Sequence, residues 1–507
     1  MADTAPTHLM PDNTAPVSAA GASQLGPAEK HRQTILNFQE QYQAKLAASR
    51  RRNAYFHDYL TQRLTRIIPA ASKVLDLGCG DGSMLAALKP SLGVGLDFCA
   101  SVIDEARAKY PHLQFITSAA EDVSSVPQTP FDYIILSGIL PQLYDVHTVL
   151  QALRPFCAEH TRVIVCSFSR LWQPLIRLSE VIGWKQRVFD ESWIPGDEVR
   201  NLLAQSDFAI VRQVQSMLLP FNIPIVSNII NRWLAPLPGL RQLTLCTISI
   251  ARPLDVPISG VTTGNNNEES VSVLVPVRNE AGNILPLLNR VPIMAARQEL
   301  IFVEGNSTDD TWQAVEQAVA SYNGPMTVKA MKQPGRGKGD AVRTGFAAAV
   351  GDIFIILDGD LSVPPEELPR FIELITTGKC EFANGSRLVY PMERQAMQFL
   401  NMIANKCFGY LFTFLLGQNL RDTLCGTKAL RRSDYYRIVQ NRAYFGDFDP
   451  FGDFDLLFGS ARLNLKIMDV PVHYKQRVYG STNISRFRHG LLLLRMCAFA
   501  ARKITFV

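Results

Sequence analysis

Residues Asp352 to Leu368 read DIFIILDGDLSVPPEEL, and this stretch decides how the second half of the chain is interpreted. Its apolar run predicts a buried strand, and Asp358 and Asp360 follow at the end of that strand. Two carboxylates at positions i and i+2 in such a turn can share one hard divalent cation, because Mg²⁺ and Mn²⁺ prefer carboxylate oxygens. Pairs of this kind are common in turns, so the meaning of this one depends on what precedes it.

Three further blocks precede this pair, and each ends in polar or glycine-rich sequence. The second block predicts a strand that delivers Glu304 to a polar turn, and then a helix that Ser307 or Thr308 caps. The third block is a basic glycine loop. In order, the blocks are SVSVLVPVRNEAGNI from Ser270, ELIFVEGNSTDDTW at 299–312 and PGRGKGDAVRTGF at 334–346.

The order PVRNE, EGNSTDD, GRGKGDA and DGD resembles glycosyltransferase family 2, with its GT-A fold, and within it the polyprenyl-phosphate sugar synthases. The resemblance implies transfer of a sugar from a GDP- or UDP-linked nucleotide sugar to a polyprenyl phosphate. It implies Mg²⁺ or Mn²⁺ at Asp358 and Asp360, where the cation would neutralise the leaving diphosphate. It also places the acceptor phosphate at Arg387. The residues that it implies around the nucleotide sugar are Pro276, Glu280, Glu304, Asp309 and Lys338.

The chain departs from the family pattern at two points. The second block usually reads Asp-Asp-Gly-Ser, and here residues 304–307 read EGNS, so the nucleotide base stays open. Ser362 stands where relatives often have Gln, which leaves a third protein ligand to the metal unassigned. Arg394 is the candidate for a second phosphate-binding arginine. Asp453 or Asp455 could serve as a base, but a phosphate acceptor is already an anion and needs no strong base.

A glycine-rich turn opens the first half of the chain, in KVLDLGCGDGSMLAAL at 73–88. A strand, Val74–Leu77, runs into the turn, and its three glycines allow a ligand to approach the backbone closely. About 20 residues after Asp76, a second short strand ends at Asp97. An acidic residue at that position suits the two hydroxyl groups of a ribose.

LDLGCGDG, GLDF, SAAEDV at 118–123 and FDYIILSGIL at 131–140 together resemble the class I S-adenosylmethionine-dependent methyltransferases. The resemblance covers residues 50–253 and implies S-adenosyl-L-methionine as the cofactor. It implies Asp97 at the ribose, Glu121 and Asp122 near the adenine, and Ser137 where the acceptor approaches. The residues that it implies at the methionine end of the cofactor are Asp76, Gly78 and Gly80. The alternative is a fold that has lost activity and serves as a scaffold.

The methyl acceptor is not indicated. Methyl transfer from a sulfonium needs positioning and sometimes one base, for which His147 and His160 are candidates, although a lone histidine is more often structural. A net charge of +5, without a basic stripe interleaved with aromatic residues, argues against nucleic acid. The stretch VQSMLLPFNIPIVSNIINRWLAPLPGL at 214–240 is apolar and broken by prolines. It packs in the core, caps the acceptor pocket or contacts lipid.

The length of 507 residues is enough for two to four domains at roughly 100–200 residues each. The predicted class is α/β with two doubly wound domains, a Rossmann-like first and a GT-A second. We expect a disordered tail at 1–28, a first domain at 29–253, a linker at 254–269 and a second domain at 270–507. Nine scattered cysteines without CxxC pairs indicate a reducing compartment.

Contact with a membrane surface is expected, but a membrane span is not. Residues 1–28 lack the apolar core of a signal peptide, and no convincing transmembrane stretch is present. Met397–Leu416 is strongly apolar, with Lys406 as its only charge, and the segment from Ser485 carries arginines every seven residues. A helix with a cationic face and an apolar body can lie among lipid headgroups. Ordinary packing of these two helices on the domain is the alternative.

The sequence therefore predicts a bifunctional transferase, cytoplasmic and peripheral on the inner face of a membrane. The alternative is a glycosyltransferase with a soluble or protein-linked acceptor and a non-catalytic, methyltransferase-like scaffold. The sugar, the nucleotide, the methyl acceptor, any coupling of the two activities and the oligomeric state are not indicated.

Overall fold

The computed structural model describes residues 26, 29–37, 52–182, 194–254, 269–390, 399–442, 453–477, 479 and 494–505. Within them the chain forms two seven-stranded sheets, one before residue 254 and one after residue 269. We call these parts the first and the second module. The predicted α/β class with two doubly wound sheets is confirmed. The first domain, expected to begin at residue 29, opens with helical residues 29–37, and residues 38–51 lie outside the described ranges.

The first sheet has the strand order β3-β2-β1-β4-β5-β7-β6. Only β7 runs antiparallel to its neighbours, so the sheet is mixed. The reason is that β6 and β7 are consecutive strands that pair directly, and an antiparallel pair needs no crossover helix. The strands are β1 Lys73–Leu77, β2 Leu92–Asp97, β3 Gln114–Thr117, β4 Phe131–Ser137, β5 Cys157–Phe168, β6 Phe208–Ser216 and β7 Cys246–Pro253.

Helices cover both faces of this sheet. Its central strands are therefore buried on both sides and read as continuous apolar runs. The helices are α1, described over 29–37, α2 Ala54–Ile67, α3 Ser83–Ala87, α4 Ala100–Lys109, α5 Val146–Ala152, α6 Gln173–Val181, α7 Gly196–Gln205 and α8 Val226–Ile229.

The second sheet has the order β10-β9-β8-β11-β13-β12-β14. Here β13 alone is antiparallel to its neighbours, and the other six strands point the same way. The strands are β8 Val271–Val277, β9 Gln298–Glu304, β10 Thr327–Lys332, β11 Ile353–Ile356, β12 Phe382–Ser386, β13 Lys428–Arg431 and β14 Ile467–Pro471. The helices are α9 Ile284–Arg290, α10 Thr311–Ser321, α11 Lys338–Ala348, α12 Leu368–Thr376, α13 Phe399–Leu416, α14 Arg432–Gln440 and α15 Asp453–Arg462.

The core of the second module lies in two layers, one on each face of the sheet. Alternate residues of β11 separate into the two layers, with Phe354 and Ile356 in one and Ile353 and Ile355 in the other. This alternation explains why the strand before the Asp358 turn is apolar throughout. The strand itself is fixed by the core, and only its end reaches the surface.

The two modules are joined by a buried polar interface. The Arg162 side chain of β5 is fully buried, and its guanidinium lies 2.7 Å from a carboxylate oxygen of Glu381. Its Nε donates to the carbonyl of Asn464 at 2.8 Å. Further cross-module bonds run from Arg212 to the Asn464 amide oxygen, Arg252 to the carbonyl of Gly378, Arg462 to the carbonyls of Arg66 and Ile67, Lys466 to the carbonyl of Ile210, and Arg431 to the carboxylate of Glu159.

The predicted helix near Met397–Leu416 is present as α13, and a final helical segment is described over 494–505. Among the described residues, no helix combines the length and the apolar character that crossing a bilayer requires.

Candidate active sites

The carboxyl ends of β8, β9, β11 and β12 meet at one edge of the second sheet, because these strands are parallel. Ligand sites in sheets of this type lie outside that edge. Most of the residues predicted for this site follow these strands, and Lys338 begins the helix after β10, so the fold brings them to one edge. They are Glu280 after β8, Glu304 at the end of β9, Asp358 and Asp360 after β11, Arg387 after β12, and Lys338 at the start of α11.

Asp358 is half-buried and pairs with a cation. The Nζ of Lys338 lies 2.7 Å from its Oδ1. Burial alone would raise the pKa of Asp358, but the charges of Lys338, Lys428 and Arg387 lower that pKa below its ordinary value. The carboxylate is therefore ionised at neutral pH. The glycine loop that carries Lys338 therefore meets the acidic turn.

Asp360 is buried and pairs with Arg477. One carboxylate oxygen of Asp360 bonds to the guanidinium, and the other accepts the backbone N–H of Ser362 at 3.0 Å. Arg477 also lies 4.0 Å from a carboxylate oxygen of Glu280. Sequence reasoning missed Arg477, because it follows β14 and nothing in HYKQRVYG distinguishes it from other basic residues. The arginine therefore links the first block to the acidic turn.

Glu280 is buried and titrates near neutral pH. Burial raises the pKa of Glu280 to about 7, and the charges of Asp360 and Asp309 add to this effect. The Asn283 amide, which donates to Glu280 at 2.6 Å, and Arg477 act in the opposite direction. A cation bound beside Glu280 would favour its ionised form.

The loops after β8 and β9 are bonded to each other. The Asn279 side chain accepts the backbone N–H of Thr308 at 2.8 Å, and the backbone N–H of Glu280 donates to the Thr311 hydroxyl at 2.8 Å. Asp309 accepts the backbone N–H of Thr311 at 3.1 Å, and the carboxylate of Glu304 accepts the N–H of Ser307. These bonds fix the polar turn beside Pro276.

The predicted cap of the following helix was wrong. The helix α10 begins at Thr311, and its N-cap position is Asp310, which makes no side-chain capping bond. Ser307 and Thr308 instead use their polar groups to bind Asn279 across the turn. Competition from a neighbouring loop has therefore overridden the local preference for a capping hydroxyl.

Arg387 is held by a buried carboxylate that the sequence reading did not single out. Its Nε donates to Asp422 at 2.7 Å and its Nη2 donates to the same carboxylate at 2.9 Å. The Asn405 amide also donates to Asp422, at 3.1 Å. Burial tends to lower the pKa of Arg387, but Asp422 raises it well above its ordinary value. The guanidinium plane lies over the Tyr474 ring, 5.0 Å from its centroid.

Gly426 packs directly against the acidic turn. A Cβ atom at this position would collide with the carboxylate of Asp358 and with the Nζ of Lys338. Lys428, two residues further on, is fully buried and donates to the carbonyl of Cys425. The segment between Asp422 and Lys428 therefore closes one side of the site.

Asp358 and Asp360 are the carboxylates that could hold a metal ion, and each is paired with a cation in this structure. Among the described residues, no three His, Cys, Asp or Glu side chains cluster as ligands. Asp358 and Asp360 fit a cation such as Mg²⁺, which keeps several ligand positions for water and phosphate oxygens. Arg394 and the side chain of Asp453 lie outside the described residues. Asp455 is paired with Arg442 at 2.8 Å.

The glycine turn of the first module follows β1 at the carboxyl edge of the first sheet. Gly78 and Gly80 have positive φ, 73° and 55°, which side chains disfavour. The backbone N–H of Gly80 donates to Asp97 at 3.1 Å, and the N–H of Cys99 donates to the other carboxylate oxygen at 3.0 Å. Asp97 therefore ties the end of β2 to the turn, and the two sequence motifs are adjacent in space.

Asp76 is fully buried beneath this turn. Neither of its carboxyl oxygens has a hydrogen-bond partner within the described part of the chain. Burial, assisted by the charge of Asp97, raises the pKa of Asp76 from 3.8 to about 8. An unsatisfied buried carboxyl is costly, and a ligand that supplies positive charge or hydrogen-bond donors would remove that cost.

The remaining residues predicted at the cofactor lie on the neighbouring strands and loops. Asp122 is exposed and accepts the Ser124 hydroxyl at 2.6 Å, while Glu121 is half-buried. Ser137 ends β4, where it bonds to the thiol of Cys166. The structure places Ser137 at the same edge as the glycine turn.

The two histidines have structural partners. His147 bonds to the Ser206 hydroxyl at 2.9 Å, and His160 pairs with Asp132 at 3.0 Å. His160 lies near the start of β5, away from the carboxyl edge where the glycine turn lies. Neither arrangement singles out a base for methyl transfer.

Comparison with known proteins finds two families. The model described as "Glycosyl transferase family 2" matches residues 272–439, and the model described as "Methyltransferase domain" matches residues 39–213. A dolichol-phosphate mannosyltransferase of Pyrococcus furiosus is 30% identical over 167 residues, which are 32% of this chain and 46% of the relative. An undecaprenyl-phosphate 4-deoxy-4-formamido-L-arabinose transferase of Pseudomonas fluorescens is 29% identical over 224 residues, which are 43% of this chain and 61% of the relative.

The chain thus spans less than two thirds of the length of both relatives. Among solved structures, glucosyl-3-phosphoglycerate synthase of Mycobacterium tuberculosis aligns with a TM-score of 0.35 and 19% identity, over 48% of this chain and 85% of that protein. The two family matches fall on the two modules in the order that the motifs predicted. The chain therefore contains a methyltransferase domain followed by a glycosyltransferase family 2 domain.

Proposed function

We propose that the second domain transfers a sugar from a GDP- or UDP-linked donor to a polyprenyl phosphate, with Mg²⁺ or Mn²⁺ held by Asp358 and Asp360. The observation that carries this proposal is that the two carboxylates pair with cations from different parts of the chain. Asp358 pairs with Lys338, and Asp360 pairs with Arg477. Two carboxylates interleaved with two cations are complementary to a divalent metal bound to a diphosphate. When bound, the metal would neutralise the diphosphate that leaves.

The chain's own residues would then divide between the two phosphate groups of the reaction. Lys338 and Arg477 would turn from their carboxylates to the diphosphate oxygens. The loops that carry Glu280, Glu304 and Asp309 would surround the nucleoside. Arg387, held in a fixed plane, would receive the acceptor phosphate. An acceptor phosphate already carries its charge, so the reaction needs no proton transfer to a base.

The lipid nature of the acceptor is supported by the names of the relatives, which describe transferases of dolichol phosphate and undecaprenyl phosphate. The enzyme would act as a peripheral protein at the inner face of a membrane. We propose the same domain boundaries as the sequence predicts, 29–253 and 270–507, with a linker between them.

The first domain would bind S-adenosyl-L-methionine and transfer its methyl group to a glycan or a lipid-linked acceptor. The orphaned carboxyl of Asp76 favours this over a scaffold, because the methionine end of the cofactor carries an ammonium and a sulfonium. Asp97 would bind the ribose, and the Gly78–Gly80 backbone would contact the methionine. Glu121 and Asp122 would lie near the adenine. Ser137 would lie on the acceptor side.

The first experiment incubates the full chain with a polyprenyl phosphate, Mg²⁺ or Mn²⁺, and a panel of GDP- and UDP-sugars, with mass spectrometry of the lipid fraction. We expect one lipid-phosphate sugar, and its loss with EDTA or with Asp360→Asn. The exposed Glu316→Gln on α10 is the matched control and should retain turnover. Turnover of Asp360→Asn at the wild-type rate would refute the metal site, and a protein that binds nucleotide but gives no lipid product would refute the lipid acceptor.

The cofactor is tested by calorimetry of the full chain with S-adenosyl-L-methionine, beside Asp97→Ala. We expect binding that weakens at least tenfold in the variant. No heat of binding to the wild-type protein would favour the scaffold.

A further inference from the structure

The first domain exposes an apolar face that the proposed reactions leave unexplained. More than half of the large exposed apolar side chains in the described residues come from two short segments, 171–182 and 221–243. Val181 is 83% exposed and Ile225 is 77% exposed. Soluble proteins rarely expose apolar surface in such a concentration unless it contacts a partner or a membrane. Of the alternatives for 214–240 left open by the sequence, core packing is wrong for these side chains.

The two segments form one surface at the carboxyl edge of the first sheet. The first follows the end of β5, and the second joins the end of β6 to the start of β7. They are bonded to each other, since the indole N–H of Trp172 donates to the carbonyl of Leu243 at 2.8 Å. The glycine turn follows β1 at this same edge. The apolar face and the proposed cofactor site therefore lie at the same edge of the sheet.

This surface is built with its polar groups inside and its apolar groups outside. Asn231 is fully buried, and its side chain makes four hydrogen bonds, which join it to the backbone of Leu218 and Leu219 and to the Tyr55 hydroxyl. The exposed side chains are thus displayed by an ordered scaffold. Ile225 even adopts a positive φ of 66°, which β-branched residues rarely do.

The charged residues of this surface indicate what kind of partner it binds. From Phe208 to Leu254 the chain contains no Asp or Glu, while Arg232 and Arg241 lie among the exposed apolar residues. The first segment carries one charge of each sign, at Arg177 and Glu180. The Arg232 guanidinium lies 5.5 Å from the centre of the Trp233 ring. Indole and arginine side chains with apolar neighbours suit the boundary between lipid headgroups and acyl chains.

We propose that this face docks the first domain on an anionic lipid surface, so that its cofactor site faces an acceptor anchored in that membrane. The proposal deepens the proposed function, because it rests on methyl transfer by the first domain. It places that acceptor in the class of lipid-linked molecules.

The test is co-sedimentation of the full chain with vesicles of phosphatidylcholine alone or with 30% phosphatidylglycerol. We expect wild-type protein to partition at least tenfold more strongly onto the anionic vesicles. Ile225→Asp combined with Ile229→Asp should reduce that partitioning about tenfold, and Arg241→Gln should reduce it on anionic vesicles alone. Val350→Asp, at an equally exposed site of the second domain, should leave it unchanged.

Wild-type protein that stays in the supernatant would overturn the proposal, as would a double variant that sediments like wild type. The first outcome would indicate a protein partner for this face, and the second would place membrane contact elsewhere. Thermal unfolding confirms that the variants fold, and Asp suits the positive φ at position 225 better than Ile. Calorimetry of the same proteins with S-adenosyl-L-methionine, in the absence of vesicles, reports on the proposed function of the first domain independently.

Discussion

Arg387 and Asp422 are joined by two parallel hydrogen bonds, which hold the guanidinium in one plane at the end of β12. Asp422 is fully buried, whereas Arg387 keeps part of its edge towards the site. The sequence resemblance named the arginine alone. The structure adds the carboxylate that orients it, and this pair is the basis of the first prediction.

Asp422→Asn should lower kcat/KM for the polyprenyl phosphate by 10- to 100-fold, chiefly through KM, because an amide N–H₂ would face the guanidinium donors and turn it away. Arg387→Lys should also lose activity, since a lysine ammonium cannot form the two-point contact that a guanidinium makes. Steady-state kinetics with varied lipid phosphate measures both. Asp352→Asn, which affects a half-exposed ion pair before β11, serves as the control. An unchanged KM in Asp422→Asn would contradict the orienting role.

Gly426→Ala should reduce sugar transfer at least tenfold with little change in the unfolding temperature. The added methyl group would collide with the ends of the Asp358 and Lys338 side chains, which can move without disturbing the core. Sugar transfer and thermal unfolding are measured on the same preparation. A fully active variant would show that this close approach does not matter for the reaction.

Asp76→Asn should stabilise the cofactor-free protein at pH 8 and have little effect near pH 4. Burial raises the pKa of Asp76 from 3.8 to about 8, so its stabilising contribution is complete below about pH 4 and is lost as the pH rises to about 8. At 1.36 kcal/mol per pKa unit, the effect is on the order of a few kcal/mol.

Thermal unfolding between pH 4 and pH 8 measures the difference between Asp76→Asn and wild type. Asp104→Asn, at an exposed carboxylate of α4, should show no such dependence. The same Asp76 variant should bind S-adenosyl-L-methionine more weakly, although it is the more stable protein. If the unfolding temperatures of wild type and Asp76→Asn changed with pH in the same way, the raised pKa of Asp76 would be contradicted.

Arg162→Met should destabilise the full chain by roughly 3–5 kcal/mol, because it leaves the Glu381 carboxylate buried without its partner. Arg162→Met combined with Glu381→Leu should recover much of this loss, since an apolar pair leaves no buried charge. Urea unfolding measures both. Arg290→Met removes an exposed ion pair with Glu366 and should cost at most about 1 kcal/mol. Equal effects of Arg162→Met and Arg290→Met would show that the interface contributes little.

Much of the second site could be predicted because its parts lie at strand ends. The apolar run before Asp358 and the glycine loop with Lys338 are local patterns, and parallel strands bring such ends together. The pairings themselves could not be predicted. Arg477 lies 117 residues from Asp360, and Asp422 lies 35 residues from Arg387. No local pattern connects residues at such separations.

The antiparallel strands and the module interface escaped the sequence reading for the same reason. β7 reads like any buried strand, and its direction depends on pairing with β6. Arg162 lies within an apolar strand, and its burial is explained by the ion pair with Glu381 of the other module. The helix start at Thr311 was missed because Asn279 competes for the local hydrogen-bonding groups.

The module interface also has a consequence for how the chain can vary in evolution. Several of its cationic side chains, those of Arg252, Arg462 and Lys466 among them, donate to backbone carbonyls of the opposite module. Every amino acid supplies the same carbonyl. We therefore expect homologous fusions to accept almost any residue opposite these cations, while the cations themselves change rarely. The two halves could then diverge in sequence, each under its own selection, without losing their fixed mutual orientation.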